Sequence, residues 1–159
     1  MSGPVARLPV VSVNPALVGR TFPPAAPYLV GREKVREFAR AVFATNPLHV
    51  DPAAARAAGY ADVVAPSTFA VVVQEATLAQ LLAAPDAGID FSRVVHGEQR
   101  FSYVRPIVAG DELTATLTVT GVKTLGGNAM VTAESSMVDA SGAHVVTATS
   151  TLVVRGDDA

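Results

Sequence analysis

The chain has 159 residues, of which 50% are hydrophobic, with a formal net charge of −2 and no cysteine. This length predicts a single domain spanning residues 1–159, with its core at about 18–154 and flexible ends. The composition excludes disulfides and cysteine-ligated zinc, and the lack of a basic cluster argues against nucleic acid as a partner.

The chain begins MSGPVARLPVVSVNP, which has neither the basic start nor the continuous apolar run of a secretion signal. No apolar run anywhere reaches the roughly 18 residues that a membrane span needs. We therefore expect a cytoplasmic protein without a membrane span. The surplus of apolar residues instead predicts that one face packs against another subunit.

The first half of the chain predicts a short strand near Tyr28–Val30 and two helices. The first helix is expected to end near Ala44, because Asn46-Pro47 disfavours helical backbone. Asp51 is expected to cap a second, short helix over Ala53–Ala58. The predicted apolar face of the first helix consists of Val35, Phe38, Ala39, Val42 and Phe43.

A longer helix is predicted to begin at Pro66-Ser67-Thr68. Apart from Gln74, Glu75 and Gln80 it is apolar on nearly every side, which is typical of a helix at the centre of a domain. After Gly88 the pattern alternates and predicts strands. These strands lie around Phe101 and Tyr103, over Leu113–Val119, over Met130–Asp139 and over His144–Arg155. Short turns predict antiparallel pairing, so the expected fold class is α+β, with the sheet wrapped around the long helix.

Several kinds of active site are missing from the sequence. There is no nucleophile elbow of a serine hydrolase, no dinucleotide-binding glycine motif and no phosphate-binding loop. His49, His96 and His144 are too scattered to predict a metal site, so we expect neither a metal nor a cofactor. The best remaining candidate is the stretch Asn46-Pro47-Leu48-His49.

Two segments carry a family resemblance: FARAVFATNPLHVDPAAARAAGYADVVAPSTF and RFSYVRPIVAGDEL. Both resemble the MaoC-like hot-dog family of (R)-specific enoyl-thioester hydratases and (3R)-hydroxyacyl-thioester dehydratases, over roughly residues 18–154. More narrowly, VGREKVREFARAV and VAPSTF resemble a single-domain actinobacterial branch. That branch includes the subunits of the mycolic-acid pathway's (3R)-hydroxyacyl-ACP dehydratase, in which a substrate-holding subunit pairs with a catalytic one. The resemblance implies a hot-dog fold and an acyl-thioester substrate.

The resemblance also implies a site. The family motif Asp-x-Asn-Pro-x-His places the catalytic roles on His49 and Asn46, while Ala44 replaces the aspartate. Loss of a positioned proton-transfer group typically costs roughly 10²–10⁴-fold in rate. We predict that neither nearby carboxylate, Asp51 or Glu37, substitutes for it. The thioester oxygen is expected at the backbone of Ser67 and Thr68, since a helix start offers free N–H donors.

Other assignments follow the resemblance, each with a structural alternative. The implied acyl tunnel is lined by Phe69, Val72 and Val73, which can equally be core residues. His49 can be a loop or capping histidine, Asn46 an Asx-turn residue and Ser67 the helix N-cap. His96 either lines a tunnel or bonds to backbone. The candidates for phosphopantetheine contacts are Arg56, Arg100 and Arg105.

Three functions remain open. The first is a dehydratase subunit acting on acyl-CoA or acyl-carrier-protein thioesters, impaired alone and paired with a MaoC-like subunit that supplies Asp and His. The second is a self-sufficient homodimeric (R)-specific enoyl-CoA hydratase using His49. The third is a non-catalytic acyl-thioester binding protein. An engineered replacement at position 44 is also compatible with the sequence.

Overall fold

The computed structural model describes residues 12–156 of the chain. Of the ends predicted to be flexible, 1–17 and 155–159, residues 1–11 and 157–159 lie outside the described residues. The described residues form three α-helices: α1 Arg32–Ala41, α2 Pro52–Ala57 and α3 Ala70–Ala83. The five strands are β1 Tyr28–Leu29, β2 Val94–Tyr103, β3 Glu112–Leu125, β4 Asn128–Val138 and β5 His144–Val154.

The five strands form one antiparallel sheet in the order β1-β3-β4-β5-β2. A two-residue turn joins β3 to β4, and both of its glycines, Gly126 and Gly127, have positive φ. This is the turn geometry that matches the natural twist of a hairpin. Each long strand therefore pairs with its neighbour along its length, and β1 and β2 are left at the edges.

Helix α3 packs against the sheet, over β3 and β5. Its buried residues are Ala70, Val73, Gln74, Thr77 and Leu81. The α+β prediction, an antiparallel hot-dog sheet around a long central helix, is confirmed. Within residues 12–156 no helix is long and apolar enough to cross a membrane.

A polar network lies inside this helix–sheet interface. The Gln74 amide donates to Ser150 Oγ at 3.0 Å and to the Ala148 carbonyl, and it accepts from Gln99 Nε2 at 3.0 Å. Thr77 shares a 2.9 Å hydrogen bond with Ser135. Because buried polar groups are costly unless paired, this network fixes the rotation of α3 on the sheet.

Helix α1 ends earlier than predicted. Its last turn closes with a bond from the Ala44 N–H to the Ala39 carbonyl at 2.8 Å and one from the Phe43 N–H to the Arg40 carbonyl. Phe43 adopts a left-handed backbone, with φ of 56°. This is a Schellman ending, normally completed by glycine. The chain turns away there, so Val42 and Phe43 are 43% and 88% exposed, and their prediction as core-facing residues is wrong.

Candidate active site

The loop after α1 is organised by Asn46. Its side-chain oxygen accepts from the Leu48 N–H at 3.0 Å and so caps a single 3-10 turn over Pro47–His49. The predicted Asx-turn role of Asn46 is confirmed. Its side chain is exposed and does not line the cavity described below, so a catalytic role for Asn46 remains a prediction.

His49 is anchored through one ring nitrogen. Its Nδ1 lies 2.6 Å from the carbonyl oxygen of Val64. Since a carbonyl only accepts, Nδ1 carries the proton and Nε2 of the neutral ring has the free lone pair. Val64 is itself fixed, because the segment around it pairs with the backbone at Val108. No other described residue bonds to the imidazole, so Nε2 is available for proton transfer.

An open cavity of about 410 Å³ lies beside this histidine. Its wall brings together His49 and Ser67, two residues that sequence reasoning had assigned to one site. The remaining lining residues are Val64, Ala65, Tyr103, Val104, Arg105, Pro106 and Ile107. The cavity is therefore apolar on most sides, with a few polar groups converging on it, as is typical of small-molecule sites.

The start of α3 differs from the prediction. The helix begins at Ala70, after a tight turn in which the Phe69 N–H bonds to the Pro66 carbonyl at 2.9 Å. Phe69 is fully buried against the ring of Phe38, with centroids 5.3 Å apart, and this packing fixes the turn. Ser67 is not the N-cap, so that alternative is wrong.

The backbone donors of this turn remain available. Neither the Ser67 N–H nor the Thr68 N–H donates to another group in the described part of the chain. Ser67 lines the cavity and Thr68 does not. Of the two predicted thioester-binding residues, the geometry therefore favours Ser67.

The three residues predicted to line an acyl tunnel lie in different parts of the structure. Phe69 and Val73 are packed in the core and line neither cavity. Val72 lies on another face of α3 and lines a second, apolar cavity of about 520 Å³ between α3 and β2. His96 also borders this second cavity, and its Nε2 bonds to the Glu98 carbonyl at 3.1 Å, as the backbone-bonded alternative predicted.

Tyr103 is a site residue that sequence reasoning missed. Its hydroxyl donates to the Ser67 carbonyl at 2.7 Å, and both residues line the His49 cavity. Burial raises the pKa of Tyr103 to about 12, with a smaller opposing effect from the Ala70 N–H. The strand alternation had placed Tyr103 on one face of β2, but its bond to a residue 36 positions earlier has no local sequence signal.

No carboxylate lines this cavity within residues 12–156. Ala44 is half-buried at the end of α1. As predicted, Asp51 caps α2, accepting from the Ala53 N–H at 2.8 Å. Glu37 is exposed and paired with Lys34 at 3.4 Å. Neither Asp51 nor Glu37 lines the cavity.

The candidate cationic residues are differently placed. Arg105 lines the cavity, but its guanidinium binds Asp111 at 2.8 Å and Asp139 at 3.2 Å. Arg56 and Arg100 do not line it, and Arg100 pairs with Glu98 at 3.3 Å. Among the described residues no three His, Asp or Glu side chains are grouped so as to hold a metal ion.

Comparison with known proteins gives a consistent set of relatives. The family described as "FAS1-like, dehydratase domain region" matches residues 16–148. A UPF0336 protein of Clavibacter michiganensis is 80% identical, over 92% of this chain and 99% of the relative.

Two solved structures are similar in both sequence and fold. A MaoC-like dehydratase is 38% identical with a TM-score of 0.83, over 90% of this chain but only 43% of that longer chain. The C-terminally truncated HadBC (3R-hydroxyacyl-ACP dehydratase) complex of Mycobacterium tuberculosis is 32% identical with a TM-score of 0.78. That match covers 86% of this chain and 96% of the solved chain.

Proposed function

This chain belongs to the FAS1-like dehydratase-region family, and from that premise we propose that it is a subunit of a (3R)-hydroxyacyl-thioester dehydratase, or (R)-enoyl hydratase. Its substrate would be an acyl thioester of CoA or of acyl-carrier protein. Its partner would be a MaoC-like subunit that retains the complete Asp-x-Asn-Pro-x-His motif. The observation that carries the proposal is the cavity shared by His49 and Ser67, to which the described residues contribute no carboxylate.

The chemistry of hydration assigns a role to each of these groups. In the addition of water to a 2,3-enoyl thioester, oxygen bonds to C3 and a proton is delivered to C2. His49 Nε2 has the free lone pair needed to accept a proton from water, because Nδ1 is held by Val64, and the imidazolium so formed can deliver that proton to C2. Negative charge develops on the thioester oxygen, and the free Ser67 N–H is suited to stabilise it. Asn46 acts by shaping the His49 turn.

The absence of a carboxylate supports a division of labour between two subunits. With Ala44 at the motif's aspartate position, His49 has no second group to orient water, so the rate of this chain alone should be low. The HadBC relative is a complex of two subunits. On the side of α3 facing the second cavity, Val72 and Leu78 present apolar surface beside the unpaired edge of β2. Surface of this kind is suited to packing against a partner.

A self-sufficient homodimeric (R)-specific enoyl-CoA hydratase is the second candidate. One observation favours it: His49 is retained, with its tautomer set and Nε2 free. A non-catalytic acyl-thioester binding protein would not require that arrangement.

Hydration of trans-2-butenoyl-CoA tests these functions. The rate is measured for the purified chain alone, for the chain co-expressed with a MaoC-like partner, and for both again with His49→Ala. We expect full turnover only in the complex, with at most a low rate from the chain alone. A rate from the chain alone that matches that of the complex and is lost in His49→Ala would instead establish the homodimeric hydratase. Thioester binding without turnover, both by the chain alone and by the chain with its partner, would indicate a non-catalytic binding protein.

A further inference from the structure

The hydroxyl proton of Tyr103 is already used in a hydrogen bond. The hydroxyl donates to the Ser67 carbonyl at 2.7 Å, and a phenol has only one proton to donate. What the hydroxyl still offers to the cavity is therefore an acceptor lone pair, and its cavity partner must be a donor.

The bond to Ser67 also orients the backbone. In a trans peptide the carbonyl and the following N–H point in opposite directions, so the Thr68 N–H points away from Tyr103. This agrees with the absence of Thr68 from the cavity lining. The thioester oxygen and the Tyr103 hydroxyl thus have different tasks: the oxygen requires a donor, whereas Tyr103 presents an acceptor.

We propose that the Tyr103 hydroxyl is the acceptor that holds the reacting water, or the 3-hydroxyl of the substrate in the reverse direction, beside His49. This inference rests on the proposed function. Both of those groups are hydroxyl donors, and they are the donors that a hydratase cavity must bind. Since none of residues 12–156 contributes a carboxylate to this cavity, Tyr103 takes over the orienting part of the task that Ala44 cannot perform.

Tyr103 positions the hydroxyl without removing its proton. The Tyr103 phenol donates a hydrogen bond to the Ser67 carbonyl and keeps its proton, so it stays neutral. It therefore orients the oxygen nucleophile and leaves proton transfer to His49. Tyr103 would therefore contribute to recognition of 3-hydroxyacyl over saturated acyl groups. A saturated acyl thioester offers no hydroxyl at C3, and its binding is independent of this acceptor.

Paired binding measurements test the proposal. Dissociation constants for (R)-3-hydroxybutyryl-CoA and butyryl-CoA are measured by calorimetry on the chain without its partner, in a His49→Asn background that slows turnover. Loss of one hydrogen bond predicts that Tyr103→Phe lowers the preference for the hydroxy ligand by roughly 2–10-fold and leaves butyryl-CoA binding unchanged. Tyr60→Phe, which removes a hydroxyl from outside the cavity lining, is expected to alter neither constant.

The outcomes separate this inference from the function on which it rests. A preference that is present before the change and survives Tyr103→Phe overturns the role of Tyr103 alone. An equal loss of affinity for both ligands also overturns it, and would assign Tyr103 to holding the Ser67 turn. Binding of neither ligand to the chain or to its complex would overturn the proposed function together with the inference.

Discussion

His49 and Val64 are joined in both directions. The His49 imidazole donates to the Val64 carbonyl at 2.6 Å, while the Val64 N–H donates to the carbonyl of Leu48, the residue before His49, at 2.8 Å. Backbone and side chain of the loop are thus tied to the same residue. This double attachment orients the imidazole before any substrate arrives.

His49→Asn separates the two functions of the ring. The asparagine amide can still donate to the Val64 carbonyl, but it provides no group equivalent to Nε2. We expect the low turnover of the chain alone, and that of its Ala44→Asp variant, to fall by roughly 10²–10⁴-fold, with the melting temperature almost unchanged. Steady-state hydration assays and thermal melts measure these two effects. Retention of most of the turnover would remove His49 from proton transfer.

Ala44→Asp restores the carboxylate of the family motif. Because a positioned carboxylate orients and polarises water, turnover of the chain alone should rise by roughly tenfold or more. Thr45→Asp is the matched control, since it adds the same charge one residue later at an exposed position. An equal rise in both variants would indicate a general charge effect, and no rise with an intact fold would mean that position 44 does not face the reacting atoms.

Phe43→Gly should stabilise the protein. Phe43 has a φ of 56° and a side chain that is 88% exposed, so glycine removes backbone strain and little buried surface. We expect a gain of about 0.5–1 kcal/mol in the free energy of unfolding, measured with urea. Val42→Gly, at a neighbouring position with a φ of −99°, should destabilise instead. A loss of stability in Phe43→Gly would show that the exposed ring makes contacts in solution.

Gln74→Leu tests the buried network. The change removes the acceptor of Gln99 Nε2 and a donor to Ser150 Oγ, which keep only the hydrogen bond from Ser150 Oγ to Gln99 Oε1. An unpaired buried polar group costs about 1–3 kcal/mol, and urea unfolding should report a loss of that size. Glu75→Ala, on the exposed side of the same turn, should change the stability by only about 0.5 kcal/mol.

Asp62 should make stability depend on acid pH. Its hydrogen bonds from Arg32, at 2.9 and 2.6 Å, lower the pKa of this carboxyl from 3.8 to about 2. A lowered folded-state pKa stabilises the fold above the ordinary pKa, and that contribution is lost as the pH falls toward 2. Asp62→Asn should therefore lower the melting temperature at pH 6, and the difference from the unmodified chain should shrink between pH 4 and pH 2.5. A constant difference across this range would assign the effect to packing.

The bounds of helices and strands were predictable where the spacing of apolar residues and the turn-forming residues indicate the same boundary. Alternation in the second half predicted β4 and β5 nearly to their ends, and Asp51-Pro52 predicted the cap of α2. The end of α1 was not predictable, because the apolar pattern continues through Val42 and Phe43 whereas the helical backbone ends at Ala41. A Schellman ending without glycine gives no signal in the sequence.

The site was predictable only in part, for a similar reason. His49 and Ser67 share the cavity, as the motif implied. Tyr103 and the Val64 carbonyl belong to the site through hydrogen bonds between residues distant in the chain. Every residue has a backbone carbonyl, so the sequence gives no sign of which carbonyl takes part. Phe69 and Val73 were predicted to line a tunnel but are core residues. Apolar residues on a central helix give the same sequence pattern whether they line a tunnel or fill a core.

The pairing of Arg105 bears on which molecules the cavity retains. Two aspartates already balance its charge, Asp111 through both carboxylate oxygens. A free fatty acid entering the cavity would lose hydration of its carboxylate without gaining an unshared cation in return. A thioester carries no such charge at its carbonyl carbon. We therefore expect the cavity to discriminate against hydrolysed substrate, so that free acids released elsewhere in the cell compete poorly for this protein.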